Sequence, residues 1–181
     1  MRRYLVLACL GACSQLPPAP EPAQALAPAR RLAQPSELEV AIVVNNNAIG
    51  GSHAGMFAAG RLSDPSGSYV SLRSRDPAWP GVSLDDYVRF QLEDGENVRI
   101  YRFRLAARDF AVIDERIRNE SITPPLFCAA AVQNHIAGVG PFSGIATVGW
   151  TSPSALAERL DALVGARDTA AACVRPSGVP C

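Results

Sequence analysis

The chain has 181 residues, a formal charge of zero at pH 7 and a residue make-up that is 48% hydrophobic. That is the size of one ordinary domain with enough apolar material for a core. With neither a basic tract nor an acidic tail, the chain lacks the charge signature of a nucleic-acid binder, so no nucleic-acid partner is expected.

All 17 basic residues are arginine. Together with the many alanines and prolines, this points to a GC-rich bacterial genome rather than to a function. At the N-terminus, Met1–Arg3 form a basic start and "YLVLACLGA" (4–12) an apolar run too short to cross a bilayer as a helix. The run ends in Leu10-Gly11-Ala12-Cys13, which resembles a bacterial lipoprotein signal. The resemblance implies removal of residues 1–12 and lipid attachment at the Cys13 sulfur. With Ser14 following, it also implies outer-membrane sorting and a membrane partnership through the anchor, the chain facing the periplasm. The other reading of the run is a cytoplasmic protein with an apolar start. Residues 13–37 are rich in Pro and Ala, with Pro17, Pro18, Pro20, Pro22 and Pro28 and no hydrophobic period. They read as an extended tether, on the order of 70 Å long if polyproline-like.

The remainder, 38–181, reads as a single domain. "LEVAIVVNN" (38–46) is apolar, β-branched and bounded by turn residues, as a buried strand is. "HAGMFAAG" (53–60) and "RLSDPSGSYVSL" (61–72) form a hairpin turning near Gly60, with the second arm broken at Pro65 and Gly67. Ser83 and Asp86 make a capping box for a helix over "LDDYVRFQLE", although its aromatics also fit a strand. In "NVRIYRFRL" (97–105), Tyr101, Phe103 and Leu105 share one face of a strand and Val98 and Ile100 the other. Phe110, Ile113 and Ile117 recur at helical spacing, and two further helices are read over 126–137 and 153–166. The latter has Ser152 as N-cap, Pro153 at its first position and Leu156, Leu160 and Leu163 as its stripe. Strands precede helices without βαβ alternation, so the expected fold is α+β, an antiparallel sheet packed against helices.

The chain has five cysteines and two histidines. Cys9 leaves with the signal and Cys13 carries lipid. Cys173 and Cys181 bracket a short C-terminal loop and are read as a disulfide in an oxidising compartment, although a Cys128–Cys173 bond is the alternative. Cys128 is then the odd thiol. In "ITPPLFCAAAV", Thr123 is a candidate cap, the two prolines suit a first turn, and Cys128 falls near a helix start, where N–H groups and dipole favour a thiolate. The competing reading is a small core residue in an apolar run. His135, two turns along the same helix, is roughly 10 Å away at the helical rise and too far to serve as base. His53 opens a strand on a separate element and reads either as the base or as a strand-edge histidine bonded to backbone. Asp64, on the paired arm, either orients His53 or merely closes the "DPSG" turn. No CxxC, HExxH or metal-ligand spacing is present, and "GVGPFSG" (138–144) lacks the phosphate-loop lysine, so neither a cofactor nor a metal is expected.

A histidine opening a strand, a polar residue on the paired strand and a cysteine at a later helix start resemble, in that order, the circularly permuted papain-like cysteine hydrolases and acyltransferases. These are the relatives of NlpC/P60 and lecithin retinol acyltransferase. The match runs over roughly residues 40 to 138. It implies a permuted papain-like fold with Cys128 as nucleophile, His53 as base and Asp64 as the orienting residue, acting on a peptidoglycan amide or an acyl lipid ester. The rival expectation is a non-catalytic envelope lipoprotein, a binding or scaffolding module in which Cys128 is core or disulfide-bonded.

Overall fold

The computed structural model describes residues 31–47 and 52–165. Cys13, Cys173, Cys181 and the signal peptide lie outside the described residues, as does the tether up to residue 30.

The fold is α+β. Strand β1 (Glu39–Asn46) pairs antiparallel with β2 (Ser52–Ala58) on one side and with β4 (Val98–Arg104) on the other, and the short β3 (Arg61–Ser63) pairs antiparallel with β2, giving the order β3-β2-β1-β4. Helices α1 (Tyr69–Arg73) and α2 (Leu84–Leu92) cover one face, while α3 (Ala107–Arg118), α4 (Cys128–Ile136) and α5 (Pro153–Gly165) cover the other. Successive strand residues point to opposite faces. Thus Val40, Ile42 and Val44 enter the core under α3, α4 and α5, whereas Ala41 and Val43 enter the core under α1 and α2. This explains why β1 reads as an unbroken apolar run. In β4, Tyr101 and Phe103 join the first core and Val98 and Ile100 the second, so the apolar residues of both parities are buried.

Local chemistry accounts for the element ends. Ser83 Oγ accepts from the Asp86 backbone N–H and opens α2, which is one half of the expected capping box. Ser152 Oγ accepts from the Ala155 N–H and caps α5. Three expectations need correction. The second hairpin arm is only three residues long, because the Asp64–Gly67 turn, closed by Gly67 N–H donating to Asp64 O at 3.0 Å, ends the ladder before α1 begins. Thr123 does not cap α4: Phe127 occupies the N-cap, the two prolines lie ahead of it, and Cys128 is the first helical residue. Finally, the chain is docked before residue 38. The Leu32 N–H donates to Asp85 Oδ1, and Arg102 donates to the carbonyls of Ala33 and Gln34.

Candidate active site

His53 is the second residue of β2 and lies on the sheet face that carries Phe57, towards α2. Asp64 follows the last residue of β3, where the chain leaves the sheet. Its carboxylate swings back, and Oδ1 lies 2.6 Å from His53 Nε2. Both readings of "DPSG" therefore hold at once: the segment is a turn, and the turn presents the carboxylate to the imidazole. Gly67 makes this possible, since a Cβ there would sit 2.0–2.2 Å from the Asp64 carboxyl atoms.

With Nε2 held by Asp64, Nδ1 is the imidazole nitrogen left for a third partner. The Cys128 thiol, at the first position of α4, lines the same cleft as the His53 ring, and each group shifts the other's titration. Sequence positions 53, 64 and 128, on three separate elements, thus meet in one place. His135 does not join them. It is buried at the far end of α4 with Nε2 3.3 Å from Glu120 Oε1, and Glu120 in turn accepts from Ser63 Oγ. Trp79 packs against the second core and donates to Asp86, while Trp150 is exposed.

Burial alone would disfavour charge on both His53 and Cys128. For His53, that effect is outweighed by the hydrogen bonds and charges of Asp64 and of the thiolate, which raise its pKa to about 9. For Cys128, burial pushes the thiol up, but the facing imidazolium and the backbone N–H groups of Ala54 and Ala129 more than offset it, and the pKa falls below the ordinary thiol value. Opposite shifts of this kind favour a thiolate–imidazolium pair at neutral pH.

His53 and Cys128 open into a cleft of about 430 Å³, lined also by the apolar Leu72, Phe90, Pro125 and Leu126 and by Glu93 and Asp94. Leu126 adopts φ +72°, a left-handed conformation that costs a leucine roughly 1–2 kcal/mol, and its side chain is 81% exposed beside the cleft. At the start of α4, the first N–H groups have no intrahelical partner, and that of Ala129 acts on the Cys128 sulfur itself.

One residue of the site lay outside the sequence reading. Tyr87 OH donates to Asp64 Oδ1 at 2.8 Å. In "LDDYVRFQL" the tyrosine sits one turn from Leu84 and reads as part of an apolar stripe. Only the pairing of β2 with β3 places a carboxylate above its hydroxyl.

No protein-family model, curated protein or solved structure matches this chain. Among the described residues, no cluster of three or more His, Cys, Asp or Glu side chains is arranged to hold a metal ion.

Proposed function

We propose that the chain is a cysteine hydrolase of the permuted papain-like kind, anchored in the bacterial envelope through Cys13 and acting on a cell-wall peptide amide or an acyl ester. The observation that carries this reading is the His53–Asp64 pair, 2.6 Å apart, set against the thiol at the first residue of α4. The order of the three residues, the antiparallel sheet bearing His53 and the helix bearing Cys128 support the papain-like assignment. Leu10–Cys13 and the Pro/Ala-rich stretch behind it support the anchor.

The chemistry follows from the geometry. Cys128 Sγ attacks the substrate carbonyl carbon, and the carbonyl π electrons move to oxygen. The oxyanion is met by N–H groups at the start of α4. His53 gives its proton to the leaving amine or alkoxide as the carbonyl re-forms, leaving a thioester on Cys128. Neutral His53 then takes a proton from water, the hydroxide adds to the thioester, and the acid departs as the thiolate and imidazolium are restored. Asp64 keeps the ring aligned through its contact with Nε2.

A second reading has an observation in its favour. Cys128 is only 5% exposed, as a core cysteine is. A core cysteine, however, has no use for an imidazole–carboxylate pair, whose polar groups are costly to bury.

Stopped-flow kinetics with p-nitrophenyl acetate test the proposal. The expected result is a burst equal to the enzyme concentration, an acetyl group on Cys128 by mass spectrometry, and no burst in Cys128→Ala. Wall-peptide amides and acyl esters are then compared as full substrates. Absence of both burst and acetyl-Cys128 would favour the non-catalytic reading.

A further inference from the structure

Tyr87 is fully buried in α2, with Phe57 and Tyr69 packed edge-on against its ring at centroid separations of 5.6 and 5.0 Å. A buried phenol needs a partner for its proton, and here that partner is Asp64 Oδ1, the same oxygen that meets His53 Nε2. The approach depends on two bare Cα atoms. A Cβ on Gly55 would lie 2.2 Å from the Tyr87 hydroxyl, and a Cβ on Gly67 would collide with the Asp64 carboxylate. Gly55 has no positive φ and sits inside β2, where glycine costs backbone entropy and packs nothing. Close approach of the tyrosine hydroxyl is what its missing side chain permits.

We infer that Tyr87 is a positioning residue of the catalytic relay: its hydroxyl, admitted by Gly55, holds the Asp64 carboxylate in one rotamer against the imidazole, and through Asp64 it sustains the imidazolium that stabilises the Cys128 thiolate. The inference rests on the hydrolase reading above. Burial and the neighbouring Asp64 charge raise the Tyr87 pKa well above its usual value, so the phenol remains a neutral donor over the working range. Asp64 thereby receives two donors on one oxygen. Removing one leaves the carboxylate free to turn off the imidazole, which weakens the support of the imidazolium facing Cys128. The remaining ionisable groups at the cleft are Glu93 and Asp94, both exposed and held by Arg73 and Asn45 rather than by Tyr87.

The test uses iodoacetamide labelling of Cys128 as a function of pH in the wild type, Tyr87→Phe, Gly55→Ala and His53→Ala, with folding checked by thermal melting. Tyr87→Phe retains the ring and its edge contacts. It is expected to slow labelling at pH 7 by about ten- to hundredfold, the worth of one hydrogen bond to a charged group. The labelling midpoint should rise by about one to two pH units, since each unit changes the thiolate fraction tenfold. Gly55→Ala displaces the hydroxyl while leaving it in the molecule, and is expected to shift the midpoint in the same direction. A merely structural tyrosine would lower the melting temperature and leave the midpoint in place. Should His53→Ala slow labelling while Tyr87→Phe and Gly55→Ala keep the wild-type midpoint, the role of Tyr87 is overturned and the hydrolase reading survives. Should none of the three variants differ from the wild type, both fall.

Discussion

At the scale of single residues, the site depends on how few atoms separate a turn from a relay. Asp64 closes a four-residue turn with its backbone and orients His53 with its side chain, and the bare Cα of Gly67 lets one residue do both. Gly67→Ala is therefore expected to drive the carboxylate off the imidazole. Hydrolysis of an activated ester should fall by about 10²-fold or more, the scale of a lost acid–base partner. Full activity in that variant would show that Asp64 is not the orienting group. The three principal residues were legible in the sequence because each carries a local sign: a histidine opening a strand, an aspartate in a turn, a cysteine after a proline pair. Tyr87 carries none. Its hydroxyl is functional only because a carboxylate from another element arrives within 2.8 Å of it, and hydrophobic periodicity reports the ring rather than the oxygen.

At the scale of elements, the approach to α4 matters most. The helix was legible from its alanine-rich run, but its first residue was not. Thr123 suggested a conventional cap, yet the segment ahead of α4 is held from outside. Ser66 Oγ, from the turn that carries Asp64, lies 2.5 Å from Thr123 O and 2.7 Å from Pro124 O, and Phe127 takes the N-cap position. This clamp joins positions 57 and 58 residues apart, a tertiary contact with no local signature. At its end, Leu126 is forced to φ +72°. Leu126→Gly should raise stability by about 0.5–1 kcal/mol, the relief of left-handed strain less the added entropy of the unfolded chain. Urea denaturation would measure it, and a loss of stability would mean that the leucine side chain contributes packing that outweighs the strain.

At the scale of the whole molecule, two cores on opposite faces of one sheet explain both what could be read and what could not. β1 is apolar at both parities because both faces are covered, and the mixed pattern of β4 has the same cause. The short α1 was hidden inside what read as a long strand arm, because its five residues offer too little periodicity to outweigh the adjoining hairpin signal. The domain boundary was read at 38 from composition, whereas Leu32 packs on the second core and the carbonyls of Ala33 and Gln34 accept from Arg102; proline and alanine content alone does not register docking of that kind. The sheet brings His53 and Asp64 together along one edge, and α4, packed across the other face, delivers Cys128 to the same end. In the proposed hydrolase, this convergence makes an ion pair. The most direct measurement is the pH dependence of Cys128 alkylation in the full chain and in His53→Ala. With the imidazolium present, the thiol titrates below the ordinary value of 9.0. Without it, burial acts unopposed and the midpoint should move above that value, with labelling at pH 7 slowed in proportion. A midpoint that stays the same in both proteins would contradict the account and leave Cys128 a core residue.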